Sequence, residues 1–159
     1  MGVQKGHEFP ALHNDVFPNQ LLMLSQITQV IKYNPDRNAV PEQAIDYDPK
    51  TGKGTMLPLW KVTVSDPSEE KGKRASFEVI FRAPVQPVPS TEEIAPNTGI
   101  RFIELEGLTC EPRVMGQGEF KYLGYIYRAT GIKGDNSGSK MPPADVPASR
   151  PTRGDKAVA

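Results

Sequence analysis

The sequence predicts a mainly β domain, either a small five-stranded barrel of the OB type or a β-sandwich, followed by a disordered C-terminal tail. Three observations carry that prediction. Apolar and polar residues alternate with period 2 at 59–65 (LWKVTVS), 76–82 (SFEVIFR) and 122–130 (YLGYIYRAT), the pattern of strands buried on one face. Sixteen prolines and fourteen glycines make up about 19% of the 159 residues, against an average near 12%, which leaves little room for long helices. Turn chemistry separates the runs: Asn34-Pro35-Asp36-Arg37, Asp48-Pro49-Lys50-Thr51-Gly52 and Met115-Gly116-Gln117-Gly118-Glu119 combine residues that fix or free φ.

Residues 1–15 are polar and interrupted by Pro10, and are expected to form a flexible arm that becomes ordered near Val16-Phe17-Pro18. The run 21–32 (LLMLSQITQVIK) fits two periods. Leu24, Ile27 and Ile31 have helical spacing, whereas Leu21, Met23, Ile27 and Ile31 share a face at period 2. The β-branched Ile27, Thr28, Val30 and Ile31 tilt it to a strand. Pro49 and Gly52 predict a hairpin tip leading into 59–65. There Trp60, Val62 and Val64 face the core, and across a charged loop at 66–74 so do Phe77, Val79 and Phe81.

Segment 83–98 carries Pro84, Pro87 and Pro89, which favour polyproline II; Ser90-Thr91-Glu92-Glu93 can cap one helical turn. Residues 100–105 form a strand, Gly107 marks a bend, 108–114 resume, and the glycine tip at 115–119 leads into 122–130, where Leu123, Tyr125, Tyr127 and Ala129 share a face. The domain is thus expected over 16–133. Residues 134–159 have no aromatic side chain and mix Pro, Gly, Ser and charge; they cannot bury enough apolar area to offset chain entropy, so disorder is expected.

Charge and cysteine usage exclude several function classes. Nineteen basic and nineteen acidic residues cancel, excluding a strongly basic nucleic-acid coat and an acidic decoy. One cysteine excludes a disulfide framework and a multi-cysteine zinc site. No apolar run approaches the roughly 20 residues of a membrane helix. The first residues lack the apolar stretch of a secretory signal, and Gly6 stands where myristoylation needs Ser or Thr. A cytoplasmic protein without membrane contact is expected.

Catalysis is not expected, and neither is a cofactor or metal. His7 and His13 are wrongly spaced for a zinc helix, which Pro10 would break. Cys110 lies in a strand without a placed histidine, the setting of an inert buried thiol. Glu104, Glu106 and Glu111 read as a solvated sheet face rather than an acid pair. The candidate contacts are for nucleic acid, because bases stack on aromatic rings beside basic groups. They are Trp60, Lys61, Arg82, Arg101, Lys121, Tyr122, Tyr125, Tyr127 and Arg128. Trp60, Phe77 and Phe81 also suit the core, and the tyrosines are the better surface candidates because a phenol tolerates a wet edge.

Several motifs occur in order: Val16-Phe17-Pro18, Asp48 to Gly52 followed by Leu59-Trp60-Lys61-Val62, Gln86-Pro87-Val88-Pro89, Glu106-Gly107-Leu108-Thr109 with Pro112 and Gly118, and Tyr127-Arg128-Ala129-Thr130-Gly131-Ile132. Together they span most of 16–132, and this run resembles the plasmid replication, integration and excision activators of the Pra type, found on integrative conjugative elements and plasmids of actinomycetes. Cys110 departs from that pattern, where a small or β-branched residue is expected. The resemblance implies a regulator of a mobile element that favours its replication, excision and integration genes, and it supplies no binding residues. The expected partners are promoter duplex or single-stranded DNA of the element and a replication or regulatory protein. Two alternatives accompany it: a single-strand-binding accessory protein of the same fold, and a protein-interaction module without nucleic-acid contact.

Overall fold

Pairing of the alternating runs decides the architecture. A computed structural model describes residues 6–70 and 75–135; the tail from 136 onward and the basic residues Lys71, Lys73 and Arg74 lie outside the described residues. Two expected strands appear with the expected bounds, as β4 (Leu59–Ser65) and β5 (Ser76–Arg82). They pair antiparallel from Leu59↔Arg82 to Ser65↔Ser76. The run 21–32 is strand in two pieces, β2 (Leu21–Met23) and β3 (Thr28–Gln29), both antiparallel to β4. Between them the Ser25 hydroxyl oxygen accepts the Thr63 N–H at 2.9 Å, so a side chain stands in for one rung of the ladder.

Residues 101–115 form β6 (Arg101–Ile103), β7 (Leu105–Glu106) and β8 (Thr109–Met115). Their first part pairs with β2 and their last with β9 (Tyr122–Ala129), so one stretch of chain serves both sides of the sheet. The bend between β7 and β8 requires Gly107: its φ is +62°, and a Cβ there would sit 2.2 Å from the Thr130 hydroxyl. β9 runs parallel to β5, Val79 beside Tyr127 and Phe81 beside Ala129.

With β1 (Phe9–Pro10) on β8, the main sheet has the order β1-β8-β9-β5-β4-β2-β6, with β3 on β4, while β7 pairs with β10 (Gly131–Ile132). The fold is therefore mainly β, as expected, but the count is higher than five. The path has two open ends, and no ladder between described strands closes it into a barrel. The hairpin tip at 48–52 forms as expected, Gly52 donating to the Asp48 carbonyl at 2.8 Å with φ +71°. The helical turn at 90–93 does not form; Glu93 bridges to Arg101 instead.

The core fills the face where period 2 puts it. Phe17, Leu21, Val62, Val64, Val79, Phe81, Leu105, Leu108 and Ile132 are all buried. The expected flexible arm differs most from the structure. Over its described residues it is packed: β1 pairs with β8, and α1 (His13–Val16) is a single turn against the core. His13 is buried and its Nδ1 accepts the Leu105 N–H at 3.0 Å. Burial depresses the imidazole pKa, against a smaller opposing pull from Glu104, in keeping with a neutral ring that accepts a hydrogen bond. The polarity of this segment misleads because its polar groups find partners far along the chain.

Candidate functional site

Two open surfaces collect the candidate residues. The first is a cleft of about 360 Å³ where β5 and β9 outrun the core, lined by Phe77, Met115, Tyr122, Leu123, Tyr125 and Tyr127 with Asp66, Glu69 and Ser76. Strand period builds it. Ala129, Tyr127, Tyr125 and Leu123 follow one another on a single face of β9, and their exposure climbs outward. Ala129 is 1% exposed, Tyr127 half-buried, Tyr125 37% and Leu123 61% exposed. The rings form a continuous series: Phe17 to Tyr127 at 5.2 Å, Tyr127 to Phe77 at 5.0 Å, Tyr127 to Tyr125 at 6.2 Å, and Tyr125 edge-on to Phe9 at 6.5 Å.

Asp66 is held at the turn after β4, accepting from the Ser68 N–H at 2.9 Å and from the Ser68 hydroxyl. The Tyr127 phenol is pushed up to about 12, first by burial and then by Cys110, Asp66, Tyr125 and Glu69. Its hydroxyl thus stays protonated at neutral pH, in a cleft whose lining also includes the Asp66 and Glu69 side chains.

The second surface is a shallow groove of about 630 Å³ over the outer face of β4 and β5, covered at one side by the hairpin around 46–55. Arg82 and Arg128 project into it together with Glu8, Asp46, Tyr47, Lys53, Leu59 and Ile80. Both arginines are held by carboxylates. Glu8 receives Arg82 in bidentate fashion at 2.7 and 2.8 Å and Arg128 at 3.3 Å, and it also accepts the Thr109 hydroxyl. Asp46 Oδ2 lies 3.1 Å from Arg82 Nε, an ion-pair contact off the line of a straight hydrogen bond, and accepts from Thr55 at 3.0 and 2.8 Å. Arg128 reaches Glu111 at 2.8 Å, and Arg113 reaches the other Glu111 oxygen at 3.0 Å. The Arg82 guanidinium, ahead of opposing burial, holds Glu8 down at about 2. Asp46 and Glu111 are also lowered, their hydrogen bonds and arginine partners outweighing burial.

The remaining candidates scatter. Trp60 packs half-buried against the core and its Nε1 donates to the Ala83 carbonyl at 3.0 Å. Lys61 is half-buried, its ammonium 3.9 Å from Glu78. Arg101 donates to the Thr91 carbonyl and lies 3.6 Å from Glu93. Lys121 is exposed beside Tyr122. Cys110 is buried, its thiol pushed up to about 11 by burial.

Glu111 corrects the expectation of a solvated acidic face, for it is only 9% exposed and carries an ion pair on each oxygen. Glu8 and Asp46 are the site residues that sequence reasoning missed. Arg82 lies 74 positions from Glu8, a separation no local pattern signals. Among the described residues no group of three or more His, Cys, Asp and Glu side chains is placed to hold a metal ion. No helix among them is long and apolar enough to cross a membrane. Scans against family models, curated proteins and solved structures each return no match.

Proposed function

We propose that this chain is a regulatory activator of the replication, integration and excision of a mobile genetic element, acting in the cytoplasm as a non-enzymatic module that associates with DNA along the outer face of β4 and β5. The ordered motifs from Val16 to Ile132, which resemble those of the Pra-type activators, support the regulatory half. One observation carries the DNA half. The strands β2, β4, β5, β9 and β8 follow one another in the sheet with β5 parallel to β9, the strand order of an OB-like barrel. In OB-folds the face of the second and third strands, flanked by the loop before them, takes oligonucleotides. Here that face is the groove holding Lys53, Arg82, Arg128 and Tyr47, with Lys61 beside it.

Glu8, Asp46 and Asp48 balance the three groove cations in number, so affinity is modest and falls with salt. An extended single strand suits an open groove better than a rigid duplex does. Fluorescence anisotropy tests the proposal with three labelled DNAs at low and physiological salt: single strands, random duplex, and duplex from upstream of the element's own replication genes. Salt-sensitive binding weakened several-fold by Lys53→Ala and Lys61→Ala is expected. Silence on all three DNAs from a folded sample overturns it.

A second reading, a protein-interaction module, is favoured by one specific observation. Arg82 and Arg128 are engaged by Glu8, Asp46 and Glu111 and are thereby less available to phosphate.

A further inference from the structure

We infer that Arg82, Arg128 and Thr109 form a phosphodiester site at the edge of the groove, and that Glu8 keeps it filled until a DNA strand displaces it. The inference rests on the DNA reading of the groove and deepens it, because it names the group that gates the site.

The Glu8 carboxylate sits where an anionic ligand would. Its two oxygens accept from both terminal nitrogens of Arg82, from Arg128 and from the Thr109 hydroxyl. Those donors stand on β5, β9 and β8, which are neighbours in the sheet, so the sheet fixes them. Guanidinium forks bind carboxylate and phosphate oxygens with the same bidentate geometry. A phosphodiester carries one charge on two free oxygens, as a carboxylate does, and so replaces Glu8 contact for contact. A phosphomonoester brings up to a second charge toward Asp46 and Glu111, which stay on the arginines.

The segment that carries Glu8 is held lightly. None of residues 6–10 is buried. β1 meets β8 through two residue pairs, and Pro10, one of its two residues, has no N–H to donate. Firm anchorage begins at Ala11, packed against the core, and at buried His13. Short exposed pairing of this kind opens at low free energy. Charge gives the opening its effect: among the described residues Lys53, Arg82 and Arg128 face Glu8, Asp46 and Asp48 in the groove, and without Glu8 the cations are in excess. While Glu8 is seated, DNA affinity at these arginines is reduced by the fraction of chains that are open.

Fluorescence anisotropy with labelled oligothymidylate at low salt tests this on the full chain. Glu8→Gln should tighten binding about fivefold or more and steepen its salt dependence by about one phosphate contact. Asp48→Asn removes the same charge from the groove without vacating the arginines, and should tighten binding about twofold at most. In ¹⁵N-edited NMR spectra of the unmodified chain, saturating oligothymidylate should move the Gly6, Glu8 and Phe9 amides toward random-coil positions while those of His13 and Leu105 stay. That readout needs no variant, so it stands even if Glu8→Gln misfolds. Equal tightening by Glu8→Gln and Asp48→Asn, tightening that persists on an uncharged methylphosphonate strand, or Gly6, Glu8 and Phe9 amides left in place on bound DNA overturns the inference. A wild type that binds through Lys53 and Lys61 while Glu8→Gln binds no tighter overturns the inference alone and leaves the DNA reading standing. Silence from the wild type and both variants overturns the two together.

Discussion

The groove and the cleft lie on one sheet and handle charge in opposite ways. In the groove, Arg82 and Arg128 are locked to Glu8, Asp46 and Glu111 by contacts of 2.7 to 3.3 Å. In the cleft, Asp66 and Glu69 line a wall of aromatic rings, and among the described residues no arginine or lysine lines it. The first arrangement clamps residues 6–15 to β5, β8 and β9, so its charges serve the fold before any ligand. The second sets an Asp66 carboxylate, held by Ser68, beside partly exposed rings. Arg82 and Arg128, which look available along the sequence, are thus engaged in the fold.

The largest expected effect separates core from surface within the cleft itself. Tyr127 touches Phe17 and Phe77, so Tyr127→Ala removes a ring from the inner wall. Half-buried, it should lose about 3 kcal/mol, toward the low end for an aromatic truncated in a core. Tyr125 sits at the exposed end, and Tyr125→Ala should lose under about 1 kcal/mol. Thermal unfolding followed by circular dichroism checks the pair. Equal losses would erase the boundary drawn here between packing and contact.

The groove is next. Arg82→Ala takes the closest cation from Glu8 and Asp46, whose side chains are only 24% and 21% exposed, and leaves them Arg128, Thr109 and Thr55. Breaking a fully buried pair costs roughly 3–5 kcal/mol, and partial exposure brings the expectation here to about 2 kcal/mol. The same cluster sets an acid limb. Glu8 has a folded pKa of about 2 against an ordinary 4.5, so the folded state binds its proton less readily than the unfolded chain. The stabilisation is complete above about pH 4.5 and is lost as pH falls from there toward 2. Asp46 and Glu111, both lowered, act in the same direction. Urea midpoints measured from pH 6 to pH 2.5 should fall steadily in the wild type and less steeply in Glu8→Gln. Identical slopes would show that Glu8 is not a principal titrating group.

Local pattern made part of this legible in advance. Alternation of Trp60, Val62 and Val64 against Lys61 and Thr63 sets the bounds and inner face of β4, and the same holds for β5. Gly107 signals its bend because only a residue without Cβ fits beside Thr130. The tyrosines were legible as surface candidates, but their grouping with Asp66 and Glu69 was not, because it depends on the parallel pairing of β5 with β9. Segment 6–15 was hidden for the same reason. Its polar groups are satisfied by Leu105, Thr109, Arg82 and Arg128, roughly 70 to 120 positions away, and a polar segment with distant partners has the composition of a free arm.

The smallest expected change in stability comes from Lys61, and it sharpens the contrast most. Lys61 stands on the outer face of β4, beside the groove, opposite Ile80. Its ammonium is 3.9 Å from Glu78, and both side chains are about half exposed. Such surface pairs contribute roughly 0–1 kcal/mol, so Lys61→Ala should move Tm by no more than about 4 °C. If DNA lies along β4 and β5, the same variant should weaken single-strand binding several-fold and flatten its salt dependence, since one phosphate contact is lost. A variant that is as stable as the wild type and binds DNA equally well would leave the groove a fold-stabilising ion cluster with no role toward nucleic acid, and the cleft as the remaining contact surface.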